Sequence, residues 1–380
     1  MIYLIADTFV PNTATTNRYL NFAKGFKEQG VDFINVSVKP SRDLFRLDED
    51  SYGASKYLWY GHHTTKMIDT FVYGLHIKVI SKSGILFRSF LSTLTEDDTI
   101  ILTTPQQVAS AINNNKVGYK VYHERTEHPD VSRFWADDKQ YSEYLKACTK
   151  LDGLFVITRS LRDAFISYGV PKERIHIINM TVDASRFVGL VKQECEPYIA
   201  YCGTVSNFKD GVDSLIRSFK YVAEKNKSIK LYIIGSIPNK GEKNSNIELI
   251  KELDLEERVV LTGMVSADRM PQLLKNAKVL VLARPNNKQA QNGFPTKLGE
   301  YLLTDNPVVI TKTGDVPLFL KDGESAMLAE PGNEREIADK ILSLLANPVL
   351  SQSIGEKGKL VALKHFNNSI EAKKVIDIIV

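Results

Sequence analysis

Cysteine is scarce in this sequence, with three in 380 residues (Cys148, Cys195 and Cys202). An odd count without metal-like spacing argues against a disulfide framework and points to reduced thiols. No apolar run approaches the roughly 20 residues that span a bilayer. The opening MIYLIADTFV reads at once as a strand and lacks the basic segment and cleavable apolar stretch of a secretory leader. A charge excess is absent too. Lys and Arg (49) nearly balance Asp and Glu (45), and the net +4 divides about evenly between the halves. No basic stripe argues for nucleic acid. The mild positive balance is compatible with an anionic substrate or an anionic membrane surface. The expected location is the cytoplasm, with at most a peripheral position on the inner face of the membrane.

What is present is enough apolar sequence, 43% beside 25% charged residues, to build two cores, and 380 residues favour two domains over one. Short β-branched runs recur at 2–6, 33–38, 99–103, 120–123, 153–157 and 174–178. A polar joint, VKQECEP at 191–197, is followed by further runs at 198–202, 229–234, 258–261, 278–283 and 307–310. Most are continuously apolar, as in parallel strands covered by helices on both faces. Between them, 15–29 places Tyr19, Phe22, Ala23 and Phe26 on one helical face and stops at Gly30; 159–168 stops at Gly169, with Pro171 beyond. This predicts an α/β protein of two Rossmann-like doubly wound domains, 1–190 and 191–365, facing a central cleft. A C-terminal helix, 366–380, is placed to cross back onto the first domain. Residues 40–72 break the rhythm and read as an elaborated loop region or an extra hairpin.

The stretch from Gln291 to Glu300, QNGFPTKLGE, carries the densest chemistry. Pro295 suits the first turn of a helix, where its missing N–H costs nothing. The N–H groups of Thr296 and Lys297 then form a positive helix start suited to a diphosphate. Gly293 permits close backbone approach, and the Glu300 carboxylate can accept from a ribose diol. A capped helix with an exposed Glu is the competing reading.

Asn292-x7-Glu300, followed by NPVVITKTGD, resembles the Glu-x7-Glu element of retaining family 4 glycosyltransferases (glycosyl transferases group 1), which have the GT-B fold. FVITRSLRDAFISYGVPKERIHIINMTVDASRF resembles that family's linker region, with Asn179 and Asp183 at its N-x-x-x-D positions. YCGTVSNFKDGVDSLIRSF resembles its phosphate loop, and VVLTGMVSADRMPQLLKNAKVLVL its base-binding region. The resemblance implies transfer of a sugar, with retention and without metal or other cofactor, from a UDP- or GDP-sugar to a glycan or lipid-linked hydroxyl acceptor. Bacterial surface polysaccharide or lipopolysaccharide synthesis is the implied setting. It implies that Lys209 contacts the diphosphate, that Gly203 lets the loop pass beneath it, and that Met264 and Val265 flank the base. Glu300 would hold the ribose, and Gly293, Phe294, Pro295 and Thr296 would offer backbone to sugar and phosphates. Two positions depart from the family. Thr204 stands where an Arg commonly follows the glycine, leaving Lys297 or Arg284 to supply that charge. Asn292 replaces the first Glu.

In the first half, Tyr122-His-Glu-Arg-Thr-Glu-His-Pro129 ends a strand. His123 matches a family position close to the donor sugar and, with Glu124, is the catalytic candidate; Glu124 and Arg125 are placed either to orient it or to meet the acceptor, the role assigned to Arg125. A structural ion-pair cluster around a hydrogen-bonded His is the alternative. Thr15, Thr16, Asn17 and Arg18 replace a glycine-rich turn and suit acceptor contact, although Thr16 or Asn17 can equally serve as an N-cap. Residues 78–94 interleave Lys78, Lys82 and Arg88 with apolar residues, which fits a buried helix or a peripheral membrane contact. Asp48-Glu-Asp50 and His62-His63 lack the spacing of a metal site. Two other functions share this architecture: a sugar-nucleotide epimerase and a weakly active sugar-nucleotide binding protein.

Overall fold

The computed structural model describes residues 1–6, 14–37, 56–59, 85–130, 137–237 and 240–380. They form two compact units, one of Met1–Thr181 with Asn368–Val380, the other of Val182–Asn367. The division at 181/182 precedes the 190/191 read from the sequence. The reason is local: Val182 N–H donates to Phe366 O at 2.8 Å, and Phe187 is buried.

The first unit holds a seven-stranded sheet of β1 (Ile2–Ala6), β2 (Phe33–Ser37), β3 (Lys56–Trp59), β4 (Thr99–Leu102), β5 (Lys120–Arg125), β6 (Gly153–Val156) and β7 (Ile175–Ile177). The order is β3-β2-β1-β4-β5-β6-β7 and every pairing is parallel. β4 and β6 are buried along their whole length, which is why they lack alternation. Within 40–72 the described residues are β3, which adds in parallel to β2 and therefore does not form a hairpin with it. The rest of 40–72, with Asp48, Asp50, His62 and His63, lies outside the described residues.

The helix Ala14–Glu28 sinks Tyr19, Phe22, Ala23 and Phe26 into a core with Leu4, Phe33 and Phe155. The last helix, Asn368–Ile379, adds Ala372, Val375 and Ile379 to that same core. The two helices touch at Gly25, where a Cβ would stand 2.5 Å from Ala372 Cβ. Beside them the buried Glu371 accepts from Asn179 N–H (2.8 Å) and from Lys374 Nζ (2.5 Å). In the helix Ile85–Leu91, Phe87, Phe90 and Leu91 are buried and Arg88 is exposed. These three apolar side chains are therefore spent in the core, which fits the buried-helix reading of 78–94. Lys78 and Lys82 lie outside the described residues. Among those described, no helix is long and apolar enough to cross a membrane.

The second unit holds a six-stranded parallel sheet, β10-β9-β8-β11-β12-β13. Its strands are β8 (Tyr198–Cys202), β9 (Lys230–Ile234), β10 (Val259–Gly263), β11 (Val279–Leu282), β12 (Val308–Thr311) and β13 (Met327–Ala329). β13, Met-Leu-Ala, has no β-branched residue and is not among the runs read from the sequence. The chain steps outward from β8 to β9 and β10, then crosses to β11 on the other side. The carboxyl ends of β8 and β11 therefore form a topological switch point, where ligands of such sheets lie. Gly203 directly follows β8, and Arg284 stands two residues past β11.

Candidate functional site

The loop after β8 is shaped by close backbone approach. Gly203 has φ +150° and Gly235, at the end of β9, has φ +136°; a Cβ on Gly235 would stand 1.9 Å from Gly203 O. Only glycine serves at both positions. Val205 then anchors the loop, buried, with its N–H on Ser236 O at 2.9 Å. Ser206 caps the short helix Asn207–Asp210, accepting from Lys209 N–H at 3.3 Å. The Glu242 carboxylate lies at the same helix start and accepts from Asn207 N–H at 3.0 Å. Thr204 and Lys209 are exposed on this loop, whereas Asp210 turns inward.

Asp210 is 3% exposed and gathers three partners. Lys297 Nζ donates to its Oδ2 at 2.5 Å, Tyr201 OH lies 2.8 Å from the same oxygen, and Arg284 Nε stands 4.0 Å from Oδ1. Burial pushes the carboxyl up, but the charge and hydrogen bond of Lys297, with Tyr201 and Arg284, outweigh it and hold Asp210 below the ordinary aspartate value. Burial, reinforced by Asp210, keeps the Tyr201 phenol protonated. Arg284 is 2% exposed. Its Nη1 donates to Gly293 O at 3.4 Å, and among the described residues its Nε has no hydrogen-bond acceptor. Two cations share one carboxylate here, so the cluster keeps one net positive charge.

That charge abuts the loop. A Cβ on residue 203 would lie 2.5 Å from Lys297 Nζ, so the ammonium rests directly against Gly203. Lys297 opens the helix Lys297–Leu303, and Leu298 N–H takes Pro295 O at 3.0 Å as the first turn closes. Thr296 is the cap in αR conformation, without a side-chain cap bond. Because the helix begins at Lys297, Glu300 lies in its first turn. Its Oε1 pairs with Arg186, whose Nη2 also donates to Ala267 O at 3.2 Å, in the loop that carries Met264 and Val265. Met264 is 77% exposed and Val265 partly buried.

The other residues of the 291–300 stretch have their own intramolecular surroundings. Gly293 has φ −97°, which any residue adopts. The Phe294 ring is buried against Phe319 (5.5 Å between centroids) and Phe366 (5.4 Å). Asn292 is buried, and its Nδ2 donates to Lys288 O at 2.8 Å within its own helix.

In the first unit His123 is 0% exposed. Nδ1 lies 2.7 Å from Leu102 O, which makes it the donor; Nε2 then accepts from Tyr144 OH at 3.0 Å. Burial pushes the imidazole down to about 3, against the raising effect of the Leu102 bond. In this geometry neither ring nitrogen is left to meet a sugar. Glu124 pairs with Arg18 Nε, and Arg18 Nη1 donates to Asn179 O at 2.8 Å. Arg125 is also buried, with Nη2 3.4 Å from His128 O. The ion-pair reading of this cluster thus has a structural basis. Asn17 is exposed on the first helix, and the side chains of Thr15 and Thr16 fall outside the described residues.

Sequence reasoning missed Asp210, Tyr201 and Arg186. Asp210 adjoins Lys209 in the sequence, Tyr201 lies within β8, and Arg186 lies in a short turn. No local pattern marks any of the three as a site residue.

Residues 196–347 match the family model described as glycosyl transferases group 1. Among curated proteins, the chain is 26% identical over 167 residues to N-acetyl-alpha-D-glucosaminyl L-malate synthase of Bacillus anthracis, covering 43% of this chain and 41% of that one. It is 28% identical over 172 residues to the capsular polysaccharide biosynthesis glycosyltransferase CapM of Staphylococcus aureus, 45% of this chain and 43% of that one. These alignments thus span about two fifths of the relatives' lengths. Among solved structures, Anabaena Alr3699/HepE in complex with UDP superposes with a TM-score of 0.76 at 15% identity, over 99% of this chain and 98% of that one. A variant of S. aureus TarM in complex with fondaparinux, alpha-GlcNAc-glycerol and UDP gives 0.78 at 16% identity, over 100% and 99%. The chain thus has the two-domain α/β GT-B fold, and its second unit matches the glycosyl transferases group 1 family.

Proposed function

We propose that this chain is a retaining glycosyltransferase of family 4. In this reading it moves a sugar from a UDP- or GDP-sugar to a hydroxyl of a glycan or lipid-linked acceptor, in bacterial surface polysaccharide or lipopolysaccharide synthesis. The observation that carries the reading is the Lys297 ammonium, held by Asp210 against Gly203 at the switch point of the second sheet. It provides charge beside the loop at the place where Thr204 provides none.

The donor diphosphate lies over Gly203 and receives Lys297, with Lys209 reaching from the loop and Arg284 adding field from below. Such fixed positive groups stabilise charge as the bond from sugar to phosphate breaks, without reorganisation at the moment of reaction. Glu300 holds the ribose, and Met264 and Val265 flank the base. The acceptor hydroxyl attacks from the leaving-group side and passes its proton to a phosphate oxygen, so no protein nucleophile or metal ion is assigned. His123 and Glu124, with Arg18 and Arg125, then act by holding the wall of the first unit rather than by carrying protons.

Thermal shift against UDP-, GDP- and ADP-sugars tests the reading. One nucleotide class should stabilise the protein by mass action, and Lys297→Met should remove the shift. Turnover with a panel of glycan acceptors, read by NMR at the anomeric centre, tests retention. No stabilisation by any nucleotide sugar, together with no turnover, would sink it.

A further inference from the structure

Arg186 belongs to the short turn Ala184–Phe187 and ties together three segments distant in sequence. The turn is held by local hydrogen bonds and one buried ring. Asp183 Oδ1 accepts from Ser185 N–H (2.9 Å) and Ser185 Oγ (2.7 Å), and Phe187 is buried. From this base the guanidinium reaches Glu300 Oε1 with Nη1 and Ala267 O with Nη2 (3.2 Å). Among the described residues no group donates to Glu300 Oε2. A pair with both partners a quarter to a third exposed adds little to stability. Its effect is instead geometric: one carboxylate oxygen is occupied by a guanidinium that is itself anchored on Ala267 O, and the second oxygen is left to accept.

We propose that Arg186 is a positioning residue for the nucleotide ribose. It orients Glu300 so that Oε2 meets the ribose diol, and it fixes that carboxylate relative to the loop after β10 through Ala267 O. This rests on the assignment of Glu300 to the ribose. The planar fork of Arg suits two acceptors at a fixed angle, which a Lys ammonium does not reproduce.

The test is calorimetric titration of the full chain with UDP, or GDP if that stabilises more, and with the matching 2′,3′-dideoxynucleotide. Wild type should prefer the intact diol by about tenfold or more, as for a charge-assisted hydrogen bond. Arg186→Met should erase most of that preference while leaving dideoxynucleotide affinity unchanged, and Arg186→Lys should restore only part. Glu300→Ala should erase the preference altogether. Thermal unfolding of each variant checks that it is folded. If Arg186→Met keeps the diol preference, or weakens both ligands equally, Arg186 does not position Glu300 and the inference fails while the ribose assignment stands. If wild type shows no diol preference, or Glu300→Ala keeps it, the ribose assignment fails and the inference with it.

Discussion

Lys297 Nζ lies 2.5 Å from Asp210 Oδ2 and as close to the point where a side chain on residue 203 would begin. One ammonium thus donates to a buried carboxylate and packs against the bare backbone of a glycine loop. The carboxylate holds the cation in place without cancelling the cluster's positive balance, because Arg284 stands on the other side of Asp210.

Lys297→Met removes that charge. Nucleoside diphosphate affinity should fall about 10- to 100-fold, the range of one charge-assisted contact, while affinity for the bare nucleoside stays the same. Titration with UDP and uridine reads this directly. An equal loss for both ligands would contradict the assignment to phosphate.

Gly203→Ala should reproduce part of that defect by a different route. Its Cβ would collide with Lys297 Nζ, and φ +150° is strained for any side chain. Diphosphate affinity should drop with Lys297 still present, and an unchanged affinity would show that Lys297 does not need its place against the loop.

Asp210→Asn leaves the buried Arg284 and the partly buried Lys297 without their carboxylate, and should cost about 3 kcal/mol in urea unfolding. The native carboxyl titrates below its ordinary value of 3.8. Its contribution is therefore fully present above pH ~3.8 and is lost as pH falls through the lower native value. The stability gap between wild type and Asp210→Asn should shrink only in that acid range. A gap that already closes between pH 6 and 5 would point to another group.

His123 offers a second pH signature. Its native value of about 3 lies below the unfolded 6.5, so the unfolded chain binds the extra proton first. Stability should fall by about 1.4 kcal/mol per pH unit as pH drops from 6.5 towards 3, and His123→Gln should lack this component. The imidazole NMR signals of His123 should stay constant between pH 5 and 8. A titration in that window would show that the ring is reachable and would restore it as a candidate proton carrier.

Phe294→Ala tests whether that ring is framework. Removing it from the cluster with Phe319 and Phe366 should cost about 3–5 kcal/mol. Phe294→Leu should recover most of that stability and bind nucleotide as wild type does. Reduced nucleotide affinity in a stable Phe294→Leu protein would mean that the ring touches the donor.

The sequence by itself determined the alternation of buried strands and helices, because strands covered on both faces must be continuously apolar and helices in between must show a period near 3.6. It therefore exposed the two-unit α/β plan, and it exposed the stretch around Pro295–Glu300, since a proline at a helix start and a glycine after a strand have local backbone reasons. The strands β3 (Lys56–Trp59) and β13 (Met327–Ala329) escaped, because neither contains a β-branched residue, the signal that marks the other strands. Only the tertiary structure decided which charges meet. Lys297 and Asp210 are 87 residues apart, and Arg186 and Glu300 are 114 apart. His123 reads the same in sequence whether it faces a ligand or a tyrosine, and burial between Leu102 O and Tyr144 OH settled what its nitrogens do. Partner choice among charged and polar groups depends on distance and dielectric, and both are set by packing that no local spacing encodes.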